Sequence, residues 1–514
     1  MKRPTALTRI ALDENEPGPQ DPYTEPLASF GAWGQRFSFI TAIALIGFFL
    51  FSSLWIASRR PFWYDEINTV LVARLADCAT IWRALAHAVD VLPASYFMLV
   101  RLFDRTFGPT ELAARIPSAL AMAAGLLIVF DCARRLSDNL HALAGVVLLT
   151  CSLLPYYGYE ARPYALYFTL AAMELWLWLH TPESHKGSAL LFGTTVFLAF
   201  NVHYYTALCL VPYAVFEAFR WNRWRAPSAK LIAGTLGILC GVAVLSQQIL
   251  AARKVSPGFW APPDFNALRE VFGEFFPFGL FIAAVVLLWI AWTVRHETPI
   301  TLYPMLGGER LGWFFLLIPV AGYVLAKLVT NAFFNRYFIG MLPGVAVAAS
   351  CALWRRFRHS PGVSAGIVLI VLLFGLSRQI SVAARPGLIE PPYPSHAAAE
   401  LKELLSMEST LMRDGKKNIA APADRIIGVE ARYYSKKPET YTFVVTPSLG
   451  VTGRVHLNMA QYHPMRFWTL EDLRIHARET ALVDPSGDVL NAMTEAGFRL
   501  RPIDAKHIKV IYLE

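Results

Sequence analysis

The stretch Arg59-Arg60-Pro61-Phe62-Trp63-Tyr64-Asp65-Glu66 follows directly on an apolar segment of membrane length, Ser38 to Ala57. An acidic pair at that point stands where hydrocarbon gives way to water. It is expected to be solvated and ionised there, within reach of a lipid headgroup. Trp63 and Tyr64 are the residue types that the interface favours. The bland alternative is an interfacial belt carrying two ordinary surface carboxylates, and the rest of the chain decides between the two.

The chain of 514 residues is 55% hydrophobic and only 17% charged. Soluble domains of this size carry about a quarter charged residues. Several apolar runs approach or exceed the roughly 18 residues that span a bilayer. The composition defines a polytopic membrane protein. Its net charge of +9 is therefore no sign of nucleic-acid binding, because Lys and Arg collect in cytoplasmic loops and set orientation. Of the six cysteines, Cys132, Cys151, Cys209, Cys240 and Cys351 fall in or beside apolar segments, and Cys78 lies in a loop. Without a CxxC pair or a His/Cys cluster, neither a disulfide framework nor a structural zinc site is indicated.

Residues 1–37 are polar and rich in Pro and acidic residues, as in Asp13-Glu14-Asn15-Glu16-Pro17, and read as a disordered cytoplasmic tail. The span Ser38–Ala57 then serves as a retained anchor. The next span, Ile116–Arg134, leaves an outer loop over 58–115. That loop contains a half-apolar piece, Val91 to Val100, too short to cross and better suited to a juxtamembrane helix. Further spans are expected at 140–157, 163–180, 188–204, 205–219, 228–250, 276–294, 312–331, 337–354 and 362–377, eleven in all. The pair over 188–219 is either two short helices or one broken one.

With the N-terminus inside, the cytoplasmic loops hold Arg134-Arg135, Lys186, Arg220, Arg223, Arg225, Lys230, Arg295, Arg310 and Arg355-Arg356-Arg358, as the positive-inside rule requires. The 58–115 loop, Glu160 and Arg162, Asn201–Tyr205, Arg253–Asp264 and Asn335–Tyr337 then share the outer side. After about residue 385, strand-like pieces (Tyr441–Thr446, His507–Leu513) alternate with helix-like ones (Ala397–Met407, Gly487–Ala496), and Gly497 stands at a helix C-cap position. Residues 385–514 read as a small extracytoplasmic α/β domain that packs against or covers a site.

Asp65 is the first candidate for chemistry, because a carboxylate can take a proton from an acceptor hydroxyl. Glu66 can orient it, bind a cation or remain merely solvated. Arg115 opens the second span, where a snorkelling arginine is the simpler reading. Glu160 and Arg162 flank a break between spans, with Pro163 at the start of the next. Arg162 can pair with Glu160 or grip an anionic headgroup through its planar fork. His203 lies at another outer helix end, either as a hydrogen-bonded structural residue or as a phosphate contact. Arg336, with Arg253 and Lys254, adds further outer cations. Ionisable residues inside membrane segments are functional candidates by default. Together these groups suit transfer from a lipid-linked phosphate, with cations on the leaving group and a carboxylate activating the acceptor.

Trp63-Tyr64-Asp65-Glu66, Leu92-Pro93-Ala94-Ser95-Tyr96, Phe107-Gly108 with Glu111 and Ala114-Arg115-Ile116-Pro117-Ser118, Glu160-Ala161-Arg162-Pro163-Tyr164, His203-Tyr204 and Arg336-Tyr337 occur in that order. The pattern, over about residues 38–350, resembles the GT-C glycosyltransferases of the protein O-mannosyltransferase type, glycosyltransferase family 39, whose relatives include enzymes that add aminoarabinose to lipid A. Ala94 stands where the family has the second proline of a Pro-Pro-Leu-Tyr-like stretch.

The resemblance implies a helical GT-C membrane domain over 38–384 and a polyprenyl-phosphate sugar as donor. The acceptor would be a protein or glycolipid, on the outer face of a bacterial inner membrane. It implies Asp65 as catalytic base with Glu66 beside it, and Arg336 on the donor phosphate. Arg115, Glu160, Arg162, Tyr164, His203, Tyr204, Tyr337 and Lys254 complete the substrate-binding set. Some GT-C relatives use a divalent metal and others do not, so no cofactor follows. The alternative is a polyprenyl-lipid transporter or flippase without catalysis. Such a protein places its ionisable groups near the bilayer midplane, whereas here they gather at one outer surface.

Overall fold

A computed structural model describes residues 24–182, 187–224, 227–255, 259, 261–276, 304–358, 361–384, 396–446 and 449–513. The chain divides into two compact units. One comprises 1–58, 112–245 and 263–384, and the other 59–111, 246–262 and 385–514.

In the first unit, apolar sequence without polar interruption gives long helices. Trp33–Ala57, Glu111–Leu136, Gly307–Thr330, Asn335–Phe357 and Pro361–Ala384 are long and apolar enough to cross a membrane, and Ala229–Val244 with Ser246–Val255 makes a sixth if counted as one broken span. The expected eleven continuous spans are therefore not found among the described residues. The stretches at 140–157, 163–180, 188–204 and 205–219 form the shorter helices Asn139–Thr150, Tyr164–His180, Ser188–Phe200 and Leu210–Trp224, separated by the 3-10 turns Leu154–Tyr159 and Tyr204–Cys209. Pro155 and Pro163 lack an N–H and restrict the residue before them, which breaks the first pair. The 188–219 stretch is two helices. The span expected at 276–294 lies outside the described residues. The first helix begins at Thr24, inside the stretch expected as tail, because Leu27 to Phe37 contains no proline to stop it; residues 1–23 lie outside the described residues.

Small residues let these helices approach closely, the packing that apolar surroundings favour. A Cβ at Gly237 would stand 2.4 Å from the Gly193 carbonyl oxygen, and one at Gly145 would stand 2.8 Å from that of Ala346.

The second unit is built on a six-stranded sheet of β1 (Asn418–Pro422), β2 (Tyr441–Val444), β3 (Arg466–Trp468), β4 (Thr480–Val483), β5 (Leu500–Ile503) and β6 (Val510–Leu513), in the order β3-β2-β1-β4-β6-β5. The first four strands are parallel and the β5–β6 pair is antiparallel. Side-chain alternation sorts the residues into two cores. Ile419, Ala421, Tyr441, Ala481, Val483, Val510 and Tyr512 pack on one face against Leu404, Leu411 and Ile427. Ala420, Leu482, Ile511 and Leu513 pack on the other against Leu473, Val489 and Met493. Gly497, at φ +82°, follows the Gly487–Glu495 helix as its C-cap signal requires.

Residues 59–111 form three helices, Tyr64–Ala73, Cys78–Ala86 and Ala94–Phe107, the last beginning within the half-apolar piece. Val72, Leu75, Ile81, Leu85, Leu92 and Phe97 bury together with Met459.

Candidate functional site

Most of the expected substrate-binding residues meet within the first unit. The 3-10 turn at Leu154–Tyr159 leads into Glu160 and Arg162, which are 1% and 5% exposed. The Arg162 carbonyl accepts from the Ser118 hydroxyl at 3.0 Å, which fastens this turn to the Glu111–Leu136 helix. Arg115, on the same helix, is fully buried and donates to the Ala57 carbonyl at 2.9 Å. It is fixed inside the unit rather than snorkelling.

The break after Ser188–Phe200 places His203 at the start of the Tyr204–Cys209 turn. Its Nδ1 accepts from the Tyr205 N–H at 3.2 Å, so the ring proton belongs on Nε2. Nε2 is buried and finds no hydrogen-bond partner among the described residues. The ring stacks on Tyr167 at 5.4 Å and leans on Tyr164 and Tyr337 at 5.7 and 5.2 Å. The fields of Arg162 and Arg336 both act on it. Arg336, 6% exposed, lies over the rings of Phe334 and Tyr164 at 4.7 and 5.4 Å. Glu160 and Arg336 also act together on Tyr157. Tyr204, half-buried, turns its ring against Phe200 instead.

Two guanidinium groups and an imidazole N–H therefore converge inside an aromatic wall. The aromatic members Tyr156, Tyr157 and Tyr167 escaped the sequence reading, although the run Tyr156-Tyr157-Gly158-Tyr159 was a visible signal.

Asp65, Glu66 and Lys254 belong to the second unit. Lys254 is exposed. Asp65 and Glu66 stand in the first turn of the Tyr64–Ala73 helix, where the helix dipole favours negative charge. The expectation that both are solvated fails. Asp65 is half-buried, and Glu66 is 1% exposed, its Oε2 accepting from the Trp63 N–H at 3.3 Å. The packing of residues 59–111 against the C-terminal sheet domain removes this turn from water.

The contacts that do so were invisible in the sequence. Glu430 Oε1 accepts from the Tyr64 N–H at 2.9 Å, and burial, with the charges of Glu400 and Asp65, pushes its carboxyl up to about 8. The Tyr64 hydroxyl meets His456 Nε2 at 2.7 Å, and His456 Nδ1 meets the Ala423 carbonyl at 2.6 Å. Only Nδ1 can donate to a carbonyl, so Nε2 accepts from Tyr64. Burial holds His456 neutral by lowering it to about 4. Among the described residues no group of three or more His, Cys, Asp or Glu side chains is arranged to hold a metal ion.

A family model described as dolichyl-phosphate-mannose-protein mannosyltransferase matches residues 92–246. That match covers under a third of the chain, and the similarity of fold to a solved structure extends over nearly all of it. Among single proteins, the chain resembles ArnT from Cupriavidus metallidurans. The apo structure of ArnT is 13% identical, covers 94% of this chain and 98% of its own, and has a TM-score of 0.58. The structure of ArnT bound to undecaprenyl phosphate is 12% identical, covers 92% and 97%, and has a TM-score of 0.56. No curated protein matches the chain in sequence.

Proposed function

We propose that the chain transfers a sugar from a polyprenyl-phosphate donor to an acceptor hydroxyl at the outer face of the membrane. The observation that carries this reading is the pair of buried guanidinium groups, Arg162 and Arg336, beside the unpartnered Nε2–H of His203. Such a set fits a phosphate leaving group. Two planar forks and a neutral N–H donor match its oxygens, and they gain strength as negative charge develops on them. A membrane enzyme of this class, with a relative that binds undecaprenyl phosphate, supports a lipid-linked phosphate over a soluble one. In the reaction the acceptor oxygen bonds to the anomeric carbon, the bond from that carbon to the phosphate oxygen breaks, and the lipid phosphate departs. Asp65 takes the acceptor's proton.

The test uses purified protein with a panel of polyprenyl-phosphate sugars, each with and without membrane extract as the source of acceptor. Asp65→Asn keeps size and shape but cannot take the proton. Its turnover should fall by about two to four orders of magnitude, while affinity for undecaprenyl phosphate changes little. Normal turnover in Asp65→Asn removes it as base, and equal loss of turnover and affinity makes it a binding residue.

A further inference from the structure

In open parallel α/β sheets the carboxyl ends of the strands form the crevice where ligands bind. Here that edge is put to another use. Ala423 and Asp424 follow β1 directly, and the Asp424 carboxylate accepts the N–H groups of Gly450 and Gly453 at 3.0 and 2.8 Å. These two bonds fix the start of the Val451–Met459 helix, which carries His456. The Ile426–Tyr434 helix, which follows β1, carries Glu430, Tyr433 and Tyr434.

All four side chains hold the acidic segment. His456 takes the Tyr64 hydroxyl and Glu430 the Tyr64 N–H. The Tyr434 hydroxyl accepts the Phe62 N–H. Tyr433 accepts from Arg74 Nη1 at 2.9 Å, while Arg74 Nε bonds Asp104 at 2.8 Å. Tyr64 is thus gripped at both its main-chain and side-chain ends, immediately before Asp65.

We infer that Glu430 and His456 are positioning residues, which make the carboxyl edge of the C-terminal sheet a clamp that fixes the orientation of Asp65 through Tyr64. The inference rests on the reading of Asp65 as the base. The neutral His456 ring faces Asp424 as its charged neighbour, so its acceptor nitrogen stays available throughout the neutral range. Glu430 faces Asp65 and Glu400. A proton on Glu430 spares the clamp a second buried negative charge beside Asp65, and the raised carboxyl loses that proton as pH rises through about 8.

Two single variants test the clamp. Tyr64→Phe removes one hydroxyl and keeps the ring. It should lower kcat about tenfold or more, the scale at which misplaced groups are felt. It should leave undecaprenyl phosphate affinity unchanged and speed amide hydrogen exchange over residues 62–73. Glu430→Gln offers the Tyr64 N–H a neutral acceptor at every pH. Wild-type turnover should decline as pH passes about 8, and Glu430→Gln should keep its turnover there. Wild-type exchange and kcat in Tyr64→Phe, or the same alkaline decline in both proteins, overturns the clamp. Loss of turnover in Asp65→Asn alone overturns only the clamp, whereas full turnover in Asp65→Asn overturns the base itself.

Discussion

Arg336 is held by two ring faces, those of Phe334 and Tyr164. A guanidinium stacks there as a plane, and a lysine ammonium does not. Arg336→Lys should therefore weaken affinity for undecaprenyl phosphate about tenfold, roughly 1.4 kcal/mol, and Arg336→Ala should weaken it further, as titration in detergent would measure. Unchanged affinity in both would leave Arg336 as a packing residue. Glu66 requires the opposite kind of test, because its carboxylate is buried and closes back on the Trp63 N–H. Losing such an N-terminal helix contact costs about 1 kcal/mol, so Glu66→Ala should lower the unfolding temperature more than Asp65→Asn does. Solvation of this pair was misjudged from the sequence for a plain reason. Position after a membrane span says where the chain leaves the hydrocarbon, but not what later packs over it.

At the scale of elements, the helix contacts turn on glycine. In Gly237→Ala the new methyl would stand 2.4 Å from the Gly193 carbonyl, so the Ser188–Phe200 and Ala229–Val244 helices must part. Gly366→Ala has open space around it and gains helix propensity of about 1 kcal/mol. Thermal unfolding in detergent should fall for the first and hold or rise for the second. The long apolar helices and the pieces at Tyr441 and His507 were legible because periodicity and length speak directly. β1, reading Asn-Ile-Ala-Ala-Pro, was not. Neighbours cover it on both faces, so it shows no alternation, and Ile419 is its one β-branched residue. The expected spans at 140–157 and 188–204 stop short and the one at 205–219 starts later, because hydropathy averages over the Pro155, Pro163 and His203 breaks, which are the features that bring Glu160, Arg162 and His203 together.

At the scale of the molecule, we propose from the distribution of basic residues that the C-terminal domain lies outside. A reporter active only in the cytoplasm should therefore be silent when fused after Glu514. Strong activity there would put Asp65 and the C-terminal sheet on the wrong side for the chemistry proposed. Chain order also governs when the acidic loop acquires its support. Tyr64 and His456 are 392 residues apart, and at about 5–20 residues per second roughly 20–80 s of synthesis separates them. The sheet is finished later still, since β4 receives its partner β6 only once Val510–Leu513 has been made. During translation the loop that bears Asp65 emerges first and waits, so a ribosome that stalls before His456 leaves Tyr64 without the partner that its hydroxyl meets in the finished chain.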